Sequence, residues 1–212
     1  MIPSFQKHNF IPNDVIQQCL IEYKNKEKYD TVTMNKAGPN ECLKMLVPYV
    51  QSLFDYNITY CTGNFYKHSI PYLPHTDYKP HLKNEINVVI PLEYTQSLPY
   101  LIVFDQEWHL DSTTWCMQYR VQSFEINIGV KGCPYEYPVK KLTGKQIDPE
   151  LRSYLPQYPE HTLFGLNGNA YPFEIGSIIV FDCRKLHATS NFTGEKTGIS
   201  LRFRIDKNDQ NN

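Results

Sequence analysis

From Asn57 onward the chain is written in short runs of β-branched and aromatic residues, and no other feature constrains its fold as much. Ile58-Thr-Tyr-Cys61, Phe65-Tyr66, Glu85-Ile-Asn-Val-Val-Ile90 and Tyr100-Leu-Ile-Val-Phe104 form one cluster. Ser177-Ile-Ile-Val-Phe181, the stretch 186–192 and Ile199-Ser-Leu-Arg-Phe-Arg-Ile205 form a second. Pro, Gly, Asn and Asp punctuate both, as between strands that turn back on themselves. Strands so short and apolar are buried by closing one sheet against another, which predicts a sandwich or barrel. The first quarter has a different period. Asn13 and Asp14 are N-cap candidates, and Val15, Ile16, Cys19, Leu20 and Tyr23 then recur at helical spacing. The lysines between Lys24 and Lys28 suit the last turn of that helix, where cations face the negative end of its dipole. A second helix is predicted after Asn40, burying Leu43, Leu46, Val47, Val50, Leu53 and Phe54. Pro48 predicts a kink or a split within it. Helices followed by many strands make a mainly-β (α+β) architecture.

The 212 residues suit one domain. Its expected parts are a helical region 10–56, a β core from 57–104 and 171–206, and an insertion 105–170. The insertion has one strand candidate, Phe124–Val130, and too little continuous apolar pattern for a core of its own. It therefore reads as a decoration of the sheet edge, and the polar residues 207–212 as a frayed end. There are 21 basic and 22 acidic residues, a net charge of −1, and no basic stripe. That balance disfavours nucleic acid as the main partner. The longest apolar runs, such as Ile178–Phe181, are far too short to span a bilayer. Polar residues break the first ten positions, so a signal peptide is not expected. Six cysteines are scattered without a C-x-x-C pair, which predicts reduced thiols and a cytoplasmic setting.

The chemistry-bearing residues are His75, Asp77 and His187. His75-Thr-Asp77 places two metal-capable side chains on one face of an extended segment. His187 follows Asp77 by 110 residues, in the C-terminal strand cluster. Two imidazoles and one carboxylate on one face of a metal leave the other face open, the arrangement behind non-haem Fe(II) oxygenase chemistry. In a chain with seven histidines an incidental His-x-Asp stays open as a reading at this point. Gly176 turns into a buried strand, and His187 opens the next. After a turn near Gly194 the last strand carries Ser200, Arg202 and Arg204 in one phase. Folding these last two strands as a hairpin predicts Arg202 roughly opposite His187, where its guanidinium can fork onto a carboxylate.

These pieces together resemble the Fe(II)- and 2-oxoglutarate-dependent dioxygenases. The resemblance is carried by His75-Thr-Asp77, by Gly176-Ser-Ile-Ile-Val-Phe-Asp182 with His187 following, and by Ile199-Ser-Leu-Arg-Phe-Arg204. Asn64-Phe-Tyr66 precedes the first motif, and a similar Asn-x-Tyr pair contacts 2-oxoglutarate in the alkylation-repair branch of the family. The resemblance covers residues 58–104 and 171–206. It implies a double-stranded β-helix (jelly roll) with the N-terminal helices packed outside. It also implies Fe(II) held by His75, Asp77 and His187, with 2-oxoglutarate as co-substrate. Oxidative decarboxylation would then be coupled through O₂ to hydroxylation of a small-molecule or peptide substrate. Gly198 stands where many members carry the carboxylate-binding arginine, so that role is expected of Arg202 or Arg204, assisted by Ser200, Tyr66 and Asn64. Trp108, His109, Asp111, Trp115, Tyr119 and Arg120 in the insertion would either form a lid or substrate wall or pack the insertion onto the sheet. Repair of alkylated nucleic acid is a sub-case that the neutral charge argues against. Two further readings fit the same residues: a jelly-roll binding module, and a cupin-like metal protein that does not use 2-oxoglutarate.

Overall fold

The computed structural model describes residues 2–27, 41–71, 74–77, 84–108, 139–140, 143 and 145–206. The chain opens with a short strand β1 (Phe5–Lys7) and helices α1 (Asn13–Glu27) and α2 (Glu41–Gln51). Strands β2 (Ile58–His68), β3 (Glu85–Tyr94), β4 (Tyr100–Trp108) and β5 (Val139–Lys140) follow. A short helix α3 (Pro149–Ser153) and a 3₁₀ turn (Glu160–Leu163) precede β6 (Gly168–Pro172), β7 (Ile178–Asp182), β8 (Lys185–Thr189) and β9 (Lys196–Ile205).

Among the described residues all strand pairs are antiparallel, and they form two sheets. The major sheet has the order β1-β7-β3-β9-β2. In the minor sheet β4 is the hub, pairing with β5, β6 and β8. Alternation along the strands dictates how these sheets are covered. On β9, Ile199, Leu201, Phe203 and Ile205 join Ile86, Val88 and Ile90 of β3 in a core shared with the helices. Ile16, Cys19 and Leu20 of α1 and Cys42, Leu46 and Val50 of α2 supply the helical side of that core. Full burial of each such side chain contributes about 1.5–3 kcal/mol, so the helix layer is an integral part of the fold. The opposite phase faces the minor sheet, where Val89, Ile179 and Phe181 pack with Leu101, Val103 and Phe173. This is the jelly-roll arrangement, with helices outside the major sheet.

Four sequence expectations are corrected here. The split at Pro48 does not occur: helix α2 runs through it without a break, and the Ser52 amide donates to the Pro48 carbonyl at 3.0 Å. Pro48 and Lys44 are both exposed, so the intrahelical bond that the ring removes falls on the solvent side of the helix. The runs 58–61 and 65–66 are one continuous strand, β2, with Gly63 inside it. The last two strands are not a hairpin: β8 pairs with β4 in the minor sheet, β9 with β2 and β3 in the major one. The turn at Gly194 (φ 87°) therefore crosses between sheets, and Arg202 lies opposite Asn87 and Thr62 instead of His187. Finally, the insertion does more than extend the edge of the minor sheet through β5: residues 147–166 cover one of its faces. Ile147, Leu151, Leu155, Tyr158, Leu163 and Leu166 pack on Ile102 and Phe104 of β4 and Leu186 and Ala188 of β8. Strand β4 is apolar in both phases, so its outer face needs this cover. The strand candidate 124–130 lies outside the described residues.

Candidate metal centre

His75 and His187 are brought together by their own backbones. The His75 amide donates to the His187 carbonyl at 3.0 Å and the His187 amide to the His75 carbonyl at 2.8 Å. This isolated antiparallel bridge docks the His-Thr-Asp segment on β8, and the two imidazole centroids stand 4.1 Å apart. Two residues on, Asp77 reaches both rings: Oδ2 is 3.5 Å from His187 Nε2 and Oδ1 is 3.8 Å from His75 Nε2. One ligand atom from each of the three residues falls within 4.8 Å of the others. Adjacent ligands 2.0–2.2 Å from a metal are about 3 Å apart, so a small closure would complete a chelate.

Neighbouring groups fix the ligand atoms. His187 Nδ1 faces the Lys185 carbonyl at 3.2 Å, so a proton there leaves the Nε2 lone pair toward Asp77. The Asn87 amide nitrogen donates to Asp77 Oδ2 at 2.9 Å and orients the carboxylate. Burial, and then the nearby His75, push His187 down to about 3, which outweighs the pull of Asp77 in the other direction. The ring is thus neutral and able to act as a ligand. Burial on its own would raise the Asp77 carboxyl, but His187, His75, Arg202 and the Asn87 hydrogen bond hold it below its ordinary value.

Along the interior phase of β9 the rows run Lys196, Gly198, Ser200, Arg202. Their partners on β2 are His68, Tyr66, Asn64 and Thr62. Tyr66 lies against Gly198: a Cβ there would stand 2.6 Å from the phenol oxygen and 3.0 Å from Phe173 Cζ. Glycine at this position therefore makes the cradle for the Tyr66 ring. One row further sits a cation that the sequence reading overlooked. Lys196 is 3% exposed, and its Nζ donates to Thr189 Oγ1 at 3.0 Å. Aromatic rings wall it in, with the Phe173 centroid at 4.9 Å and Phe192 and Tyr66 at 5.7 and 5.8 Å. No carboxylate among the described residues pairs with it. Burial brings this ammonium down to about 7 and pushes the Tyr66 hydroxyl up. His68 beside it is pushed down to about 4 by burial, then by Lys196 and His75.

The other expected residues fall in different places. Asn64 Oδ1 is buried without a hydrogen-bond partner among the described residues, and Ser200 pairs with Asn64 in register. Arg202 sits in the Asn87 row, 3.6 Å from Glu85 through its Nε. Arg204 is 54% exposed and approaches the same carboxylate at 3.5 Å. His8 is on the surface against Glu174, and residues 109–120 and His81 lie outside the described residues. The signal for Lys196 is parity: it shares the phase of Ser200 and Arg202, because β9 begins at Lys196 and not at Ile199.

The two sheets and the His-Asp-His cluster define a double-stranded β-helix protein with a candidate metal site, the fold of the Fe(II)/2-oxoglutarate-dependent oxygenases. No family model matches the sequence, and no curated protein is similar to it by sequence. Solved structures of such oxygenases do share the fold. The α-ketoglutarate-dependent epimerase SnoN of nogalamycin biosynthesis superposes with a TM-score of 0.59 over 95% of this chain and 77% of its own, at 8% identity. The carbocyclase SnoK of the same biosynthesis gives 0.57 over 98% and 84%, at 10% identity. HygX from Streptomyces hygroscopicus, with nickel and 2-oxoglutarate bound, gives 0.51 over 96% and 83%, at 9% identity. At such identities the likeness is one of fold. No described helix is long and apolar enough to cross a membrane.

Proposed function

We propose that the chain is an Fe(II) oxygenase that uses 2-oxoglutarate to hydroxylate a small-molecule or peptide substrate in a cytoplasm-like compartment. The observation that carries this reading is the pairing of a His-His-Asp donor set with a buried ammonium that has no counter-charge among the described residues. The donor set is of the type that suits Fe(II) with open positions. A buried, uncompensated cation is costly unless an anion joins it, so Lys196 fits an anionic ligand. Asn64 Oδ1, buried with no partner among the described residues, is a second mark of a polar ligand.

In this reading His75, Asp77 and His187 hold the metal, and Lys196 takes the far carboxylate of 2-oxoglutarate. Arg202 takes the metal-side carboxylate, with Asn64, Tyr66 and Ser200 on the rows between. Arg204, half in solvent on Glu85, drops out of the set. When bound, iron and 2-oxoglutarate supply oxidative decarboxylation to succinate and CO₂, coupled to transfer of oxygen from O₂ to a C–H bond. The protein's part is positioning. Asn87 aims the Asp77 carboxylate, the Lys185 carbonyl holds the His187 proton on Nδ1, and the Phe173, Phe192 and Tyr66 rings shield Lys196 from water. Exclusion of water strengthens the charge pair that Lys196 makes with its ligand.

The test is succinate formation from 2-oxoglutarate by protein reconstituted with Fe(II). Formation that is lost in His187→Ala and in Lys196→Met supports the reading. Metal binding without any succinate contradicts it and favours the cupin-like alternative; absence of metal binding leaves a jelly-roll binding module.

A further inference from the structure

The following rests on the oxygenase reading and concerns what holds Arg202. Glu85 is the first residue of β3, and its side chain is 1% exposed. The register sets Glu85 opposite Arg204 and Asn87 opposite Arg202, so Arg202 is its diagonal neighbour on the interior face. Glu85 Oε1 is 3.5 Å from Arg204 Nη2, and Oε2 is 3.6 Å from Arg202 Nε. One buried carboxylate thus serves two guanidinium groups, which are not equivalent. The Arg204 side chain is 54% exposed and has water; that of Arg202 is 19% exposed.

Arg202 Nε and Glu85 Oε2 are both buried without a hydrogen-bond partner among the described residues. Their separation is too long for a hydrogen bond but short enough for one charge to hold the other. Contact through the Nε edge leaves the two Nη groups as a fork of donors that no described residue engages. A guanidinium is valuable to a carboxylate when both Nη groups arrive in one plane, and that plane must be fixed by something behind it. We propose that Glu85 is the positioning residue for Arg202, holding its Nε edge so that its Nη fork meets the metal-side carboxylate of the bound 2-oxo acid.

A purely structural carboxylate would also neutralise the buried arginine, so the test separates the two roles. Titration calorimetry of 2-oxoglutarate on the Mn(II)-loaded full chain is compared for wild type, Glu85→Gln, Arg202→Gln and the double variant. Each single variant should bind 2-oxoglutarate about ten- to a hundredfold more weakly, the usual scale for groups that orient ligand-binding residues. The double variant should bind as Arg202→Gln does, because Glu85 acts through that side chain. Mn(II) affinity measured without 2-oxoglutarate should be the same in Glu85→Gln as in wild type. Wild-type affinity in Glu85→Gln, or losses that multiply in the double variant, overturns the role given to Glu85. Failure of the Mn(II)-loaded wild type itself to bind 2-oxoglutarate overturns the oxygenase reading, and this inference with it. Should Glu85→Gln not fold, Glu85→Asp keeps the charge and withdraws it by one methylene; undiminished affinity there is equally fatal.

Discussion

Raising the pH from 7 to 9 should weaken 2-oxoglutarate binding about fiftyfold, and the reason lies in Lys196. Burial brings its ammonium down to about 7. About one free molecule in ten then carries the charge at pH 8, and about one in a hundred at pH 9. A dicarboxylate selects the charged form, and the new ion pair keeps the proton in place in the complex. Binding is therefore linked to proton uptake above pH 7, and affinity falls about fivefold between pH 7 and 8 and about tenfold, or about 1.4 kcal/mol, between pH 8 and 9. The groups around Lys196 do not interfere in that window. His68 on β2, at about 4, is already neutral, and Tyr66, raised by burial, stays protonated. Thr189, Phe173 and Phe192 do not titrate. The assay is calorimetry of 2-oxoglutarate on the Mn(II)-loaded chain between pH 6.5 and 9, with Mn(II) affinity measured separately at each pH. Lys196→Arg, whose charge does not titrate, should flatten the profile. A flat profile in the wild type refutes the assignment and returns the far carboxylate to an arginine.

Other consequences are open to equally direct checks. Asn87→Ala removes the 2.9 Å hydrogen bond that orients Asp77 and should weaken Mn(II) binding about ten- to a hundredfold with the fold intact, as followed by electron paramagnetic resonance. Gly198→Ala places a methyl group 2.6 Å from the Tyr66 phenol and 2.7 Å from its Cζ, so the ring must move. That variant should lose about 1–3 kcal/mol of stability in urea melts and bind 2-oxoglutarate more weakly while keeping its metal affinity. His68 should make the metal-free protein acid-sensitive. Between about pH 6 and 4 the unfolded chain takes up a proton on His68 that the folded state, with His68 at about 4, does not. Stability then falls by about 1.4 kcal/mol per pH unit as the pH drops through that window. His68→Gln should remove this contribution from the slope of urea-derived stability against pH.

Much of the core was legible because each strand carries its own alternation. Ile199, Leu201 and Phe203 announce a face, and the phase of Ser200 and Arg202 follows from them. The His75-Thr-Asp77 spacing and the position of His187 likewise identified three residues that the fold brings together. What was hidden depends on partners remote in sequence. Lys196 belongs to a strand whose first residues, Lys-Thr-Gly, have weak strand character, and only pairing with His68 and Tyr66 draws them into the sheet. Gly198 looked like a missing arginine, whereas its lack of a side chain is what admits Tyr66. Gly194 was legible as a turn, but a turn of given sequence can close a hairpin or cross between sheets, and the choice is made by β4 and β3 competing for the strands on either side. The apolar spacing between Ile147 and Leu166 is irregular, and it makes sense only against the outer face of β4.

The most direct test is an anaerobic titration of the metal-free protein with Fe(II) and then 2-oxoglutarate, followed in the visible range. A weak metal-to-ligand charge-transfer band that appears with 2-oxoglutarate and is lost in His75→Ala is the expected result. Binding of Fe(II) with no band on adding 2-oxoglutarate would contradict it.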